Sequence, residues 1–203
     1  MQVRTKLAVF ALSIALLSGG ALRAQEGQHD HSMGMTPEQM EAMQKAMTPG
    51  AMHKSIAKLA GDWTFVNRMW MAPGQPPIES TGTMHAETIL DGRYVQSVWK
   101  GNMMGQPFEG RGTEGFDNVS QKYVSSWVDN MGTGIMMSTG TCEDGGKKCT
   151  TVGTFSDPTT GQPGTMKTVL TWVDDNNLKT EMYGPDPASG KEYKMMEIVS
   201  KRK

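Results

Sequence analysis

The chain has 203 residues, of which 37% are hydrophobic and 20% charged, with 24 Gly and 19 Met. Its formal net charge is −1; without residues 1–24, 17 Lys and Arg face 21 Asp and Glu, a mildly acidic balance with no charge blocks. That excludes nucleic acid or an anionic membrane surface as the main partner, and the 179 residues after position 24 suit one domain.

Residues 1–24 read as a secretory signal peptide. Arg4 and Lys6 form the basic region, Leu7 to Leu17 the apolar region, and Ala24 the last residue before cleavage. Ala21 is the alternative cut, because Leu22 is larger than the residue expected two positions before Ala24. The apolar run is too short to span a bilayer and no later segment is apolar enough, so a periplasmic or secreted protein without an integral membrane segment is expected. Residues 25–35, Q-E-G-Q-H-D-H-S-M-G-M, have no hydrophobic period and read as a disordered leader. In it His29, His31, Met33 and Met35 alternate, and imidazole with thioether suits Cu(I) or Ag(I). The plainer reading is a polar leader in a chain that favours Met throughout.

Residues 36–60 carry helix signals. Thr36 is a natural N-cap, Pro37 suits the first helical position, and Gln39 completes a capping box. Met40, Met43 and Met47 fall on one stripe, which predicts packing. Thr48 and Pro49 repeat the start signal, Met52, Ile56 and Leu59 form a second stripe, and Gly61 ends it. His53 lies among that second set and reads as a packing residue.

From residue 61 to residue 203 the texture changes. Turn signals such as Asp91-Gly92, Asp117-Asn118, Gly132-Thr133-Gly134 and Asp144-Gly145-Gly146 separate about ten runs rich in Val, Thr, Tyr, Trp and Met. That spacing predicts an all-β domain, an antiparallel up-and-down β-barrel of about ten strands, behind one or two short N-terminal helices. A barrel of this size holds one small ligand at most. Between Tyr123 and Met137, Tyr123 and Trp127 share one face of a strand and Val124 and Val128 the other, as in a strand covered on both sides or lining a cavity. Gly110, Gly112 and Gly115 match G-x-G-x-x-G, but a turn and another strand follow instead of the helix that a dinucleotide site requires, so they read as a bending strand.

Cys142 and Cys149 flank E-D-G-G-K-K and predict a structural disulfide across a hairpin. A bridge prefers the closer, non-hydrogen-bonded pair, which calls for a four-residue loop, Asp144–Lys147, closed by Glu143 and Lys148. His85 with Glu87, Glu109 with Arg111, or Asp129 alone could point into a lumen, and a carboxylate beside a histidine in a cleft can do acid–base work. The plainer reading places them on a wet strand face. No H-E-x-x-H, G-x-S-x-G or P-loop occurs.

Leu59-Ala60-Gly61-Asp62-Trp63, a Gly-x-Trp opening a meander after a short helix, resembles the start of lipocalin-like (calycin) barrels, whose Trp packs across the closed end. Residues from about Pro49 to Lys203 resemble the bacterial domain of unknown function 1579 family. The matching stretches are S-T-G-T-M, I-L-D-G-R-Y, M-M-G-Q-P-F-E-G, G-F-D-N and the long K-Y-V-S-S-W-V-D-N-M-G-T-G-I-M. The resemblance implies a secreted or cell-envelope barrel and brings no established activity or ligand. Heme-binding relatives of this barrel class use a histidine late in the chain, and none follows His85 here.

The leading expectation is a non-enzymatic, exported barrel binding a small apolar or amphipathic ligand. Trp63, Met84, Arg93, Trp127, Asn130 and Met137 are expected in its lumen, with Arg93 as the charge for a head group. One alternative is periplasmic copper or silver handling by the leader; another is a hydrolase or isomerase using His85 and Glu87.

Overall fold

The computed structural model describes residues 34–158, 160–186 and 188–203, and every element below belongs to one compact unit, Thr36–Lys203. The signal peptide expected over residues 1–24 and the candidate metal ligands His29, His31 and Met33 lie outside the described residues.

Helix α1 (Pro37–Met47) starts on the predicted capping box: Gln39 N donates to Thr36 Oγ1 at 3.3 Å, and Thr36 N donates to Gln39 Oε1 at 2.8 Å. Its methionine stripe is not a packing face, since Met40, Met43 and Met47 are all exposed and α1 buries no residue. Polar contacts fasten it instead, because Asn118 Nδ2 donates to the carbonyls of Lys45, Ala46 and Thr48. Helix α2 (Ala51–Ala57) starts two residues later than Thr48 and Pro49 suggest, with Gly50 as N-cap donating its N–H to His53 Nδ1 at 3.0 Å. His53 and Ile56 are its buried residues, and the His53 ring meets Phe116 edge-on.

Ten strands follow: β1 (Gly61–Met69), β2 (Ile78–Ile89), β3 (Tyr94–Met103), β4 (Gln106–Asp117), β5 (Lys122–Asp129), β6 (Met136–Glu143), β7 (Lys148–Ser156), β8 (Pro163–Asp174), β9 (Asn177–Pro185) and β10 (Glu192–Arg202). Each pairs antiparallel with its neighbours in sequence, and β1 pairs β10 from Trp63↔Arg202 to Met69↔Met196. The closed up-and-down barrel therefore leaves no strand edge unpaired.

The core fills the end of the barrel where α2 sits. Ile56 and Leu59 meet Trp63, Met84, Ala86, Val95, Tyr123, Trp172 and Leu178 there. Trp63 is fully buried, donates its indole N–H to Leu59 O at 2.9 Å, and packs against Trp172. Arg202 lies over the same ring with its guanidinium carbon 4.1 Å from the centroid, and donates to Ala60 O and Lys58 O at 2.7 and 2.6 Å. The last strand thus ties the chain leaving α2 to the indole beneath it. Gly61 makes room for that contact, having φ +129° and space that a Cβ would take only at 2.6 Å from Arg202 Nη1.

The disulfide Cys142–Cys149 joins β6 to β7 at the same end, with Cα atoms 4.0 Å apart, the separation of a non-hydrogen-bonded pair. Glu143 pairs Lys148 beneath a four-residue loop whose Asp144–Gly146 form a 3₁₀ turn, as the spacing required. Chain entropy for so short a loop stabilises the fold by at most about 2.5 kcal/mol.

Candidate functional site

Strand alternation above the core turns Phe65 and Asn67 of β1, Trp99 of β3, Glu114 of β4 and Trp127 of β5 toward the axis. They line a cavity of about 810 Å³ whose floor includes Leu59, Met84, Tyr123 and Leu178. It opens at the end opposite α2, where the exposed Met131 and Ile135 of the β5–β6 loop line its mouth. The volume lies within the range of roughly 300–1,000 Å³ usual for small-molecule sites.

One wall is aromatic. Phe65 and Trp99 have ring centroids 5.2 Å apart, Trp99 meets Trp127 edge-on at 6.2 Å, and Phe108 stacks on Trp127 at 6.4 Å. Glycines make this wall possible. A Cβ at Gly82 would stand 2.3 Å from Phe65 Cζ, and one at Gly110 would stand 2.2 Å from Trp127 Cζ2. Gly110 and Gly112, the first two glycines of the G-x-G-x-x-G match, form the bed of an indole ring, while Gly115 lies under Tyr94 on the outer face. The facing wall, from β8 to β10, supplies Met166, Leu170, Met182, Met196 and Ile198. Thioethers and aliphatic chains opposite a row of rings give an adaptable, mainly apolar interior.

The polar groups in this interior are unevenly satisfied. Trp99 donates its indole N–H to Ser97 Oγ at 3.1 Å, and Trp127 donates its own to Asp129 Oδ2 at 2.8 Å. Asp129 also accepts the backbone N–H of Met131. Among the described residues, two solvent-shielded side-chain oxygens have no hydrogen-bond partner, Asn67 Oδ1 and Glu114 Oε2, and both residues line the cavity. Burial pushes the Glu114 carboxyl up from 4.5 to about 7. Burial, and then the neighbouring Glu114 charge, raise the Tyr123 phenol well above its ordinary value.

Of the residues expected in the lumen, the structure brings Met84 and Trp127 to the cavity. Trp63 lies beneath the floor, sealed under Leu59 and Arg202. Arg93 is a correction: it sits in the β2–β3 turn at the closed end, donating to Leu90 O and Met47 O, and no Lys, Arg or His lines the cavity among the described residues. Asn130 is at the rim, tying Pro107 O to Glu109 N. Met137 is 57% exposed, because the alternation of β6 turns Met136 inward instead. The acid–base pair is corrected for the same reason. Met84 and Ala86 point inward, so His85 and Glu87 point out, and His85 Nδ1 lies 2.8 Å from Asp62 Oδ1 on the wet face. Glu109 and Arg111 pair with each other on the outside, whereas Asp129 reaches the cavity. Glu114 and Asn67 carry no sequence signal beyond alternation. Counting by twos from the buried Gly110 and Gly112 leads to Glu114, which shows how the outward Glu109 is one residue out of phase.

The architecture defines a closed, ten-stranded antiparallel barrel of the lipocalin-like class around an internal cavity, capped at one end by a helix. Residues 48–202 match the family described as "Protein of unknown function (DUF1579)", and the chain belongs to that family. No curated protein matches the sequence. Among solved structures the chain is similar to Rv2717c from M. tuberculosis, with a TM-score of 0.55 and 12% identity over 77% of this chain and 99% of that one. It is also similar to the S-type phycobiliprotein lyase CPES from Guillardia theta, with a TM-score of 0.53 and 8% identity over 83% and 98% of the two chains. At such identities the likeness establishes the barrel fold alone.

Proposed function

We propose that this protein is an exported, non-enzymatic binding barrel that holds one small, largely apolar molecule. The observation that carries the reading is the 810 Å³ cavity itself, walled by indole, phenyl and thioether groups and open at one end. A monomeric barrel that needed only to fold would fill this space with side chains, since interiors pack to near-crystalline density. The basic, apolar and small-residue segments over residues 1–24 support export. Outward-facing His85 and Glu87 favour binding over acid–base chemistry. The likeness to a phycobiliprotein lyase lends this reading the architecture and not the activity.

Native mass spectrometry of the chain purified from its own cell envelope tests this. A mass increment of a few hundred daltons that vanishes on denaturation is expected, on a polypeptide starting at Gln25 or Leu22. An intact full-length mass would refute export, and a bare polypeptide that also fails to take up an apolar dye would refute the carrier.

A further inference from the structure

The cavity's charge is one-sided: its lining hydroxyls can donate or accept, but its ionisable groups are all acids. Both indole N–H donors on its aromatic wall are already engaged, by Ser97 and Asp129, while two shielded acceptors, Glu114 Oε2 and Asn67 Oδ1, are left without partners. Asn67 has its amide turned to donate to Ser80 Oγ at 3.3 Å, which leaves its carbonyl oxygen as the free end. Shielded oxygens of this kind are costly unless something donates to them. An anionic head group finds no counter-charge, because the titratable lining groups are Glu114, Tyr123 and Asp129, all acids.

We infer that the bound molecule presents its polar end as a non-anionic hydrogen-bond donor, a hydroxyl or an amine, and that Glu114 is the group that receives it. The inference rests on the carrier reading and narrows it, since fatty acids and other carboxylates are disfavoured occupants. Glu114 stands on β4 between the strands carrying Ser97 and Ser125, with Tyr123 below it. His53 of α2, a basic side chain packed on that end, has its ring against Phe116 and its Nδ1 already accepting the Gly50 N–H. A donor entering the cavity therefore meets a carboxyl with no internal competitor for Oε2. When that carboxyl is ionised it favours a cation most; when protonated it still accepts from a hydroxyl through its carbonyl oxygen.

The experiment is displacement of the neutral dye N-phenyl-1-naphthylamine from the purified chain by decylamine, decanol and decanoate, chain-matched probes that differ only in head group. Decylamine and decanol should displace the dye at concentrations about tenfold or more below decanoate, the size expected for a hydrogen bond to a charged or shielded acceptor. From pH 5.5 to 8 the preference for decylamine over decanoate should widen as Glu114 loses its proton, both probes keeping their own charge. Glu114→Gln, which keeps the shape, should flatten that pH dependence. Decanoate binding as well as the others, or a preference flat with pH in the unaltered chain, would overturn the assignment. Absence of dye binding would fail differently, removing the carrier reading and this inference with it.

Discussion

At the scale of single residues, Glu114 is where folding and binding conflict. Its native carboxyl holds a proton up to about pH 7, whereas in the unfolded chain it does so only to about 4.5. The native state binds the extra proton in that window, so stability falls as pH rises from about 4.5 to 7 and is flat beyond. The full shift corresponds to at most about 3 kcal/mol. Glu114→Gln should accordingly raise the thermal unfolding midpoint at pH 8 and leave it nearly unchanged at pH 5. A variant less stable than the parent at pH 8 would show that the carboxylate has a partner in solution. A residue retained at a cost to stability is what a ligand-binding group looks like. Sequence alone marks Glu114 as one acid among many, because its role depends on the removal of water by strands distant in the chain.

Among the elements, β4 and β5 depend on each other through a single indole. Trp127 lies flat over Gly110 and Gly112, held by Asp129 at its N–H and by Phe108 and Trp99 at its faces and edge. Because the ring is pinned, a Cβ at position 110 cannot be absorbed by a simple rotation. Gly110→Ala should cost roughly 1–3 kcal/mol in urea unfolding and shift the tryptophan emission spectrum. Gly115→Ala meets Tyr94 on the outer face instead and should leave the emission nearly unaltered. Equal spectral shifts in the two variants would contradict the placement of Trp127. Here the sequence was legible in part. The pairing of Tyr123 with Trp127 on one face of β5 can be read from alternation, and so can the bend implied by the glycines. Which face turns inward cannot, as His85, Glu87 and Met137 demonstrate, because a one-residue change in phase exchanges the two sides of a strand.

For the whole molecule, closure rests on β1 meeting β10, and Arg202 is the residue that couples this seam to the helical cap. It stacks on Trp63 and donates to two carbonyls at the end of α2, a planar fork that an ammonium cannot reproduce. Arg202→Lys should therefore destabilise the protein by about 1–3 kcal/mol in denaturant unfolding despite conserving charge. Stability equal to the parent would mean that the seam is held by the backbone ladder alone. Because Arg202 lies at the closed end, far along the strands from the mouth, dye affinity measured on the folded variant should stay within about threefold of the parent.

The sequence by itself determined the spacing of ten strands, the capping box at Thr36 and the register of the Cys142–Cys149 hairpin. All of these follow from neighbours along the chain or across one turn, where local geometry suffices. Only the tertiary structure decided that an interior remains open, that acids alone supply its charge, and that Glu114 rather than Arg93 faces a ligand. A cavity is the difference between the volume ten strands enclose and the volume their side chains fill, and no segment taken alone carries either quantity.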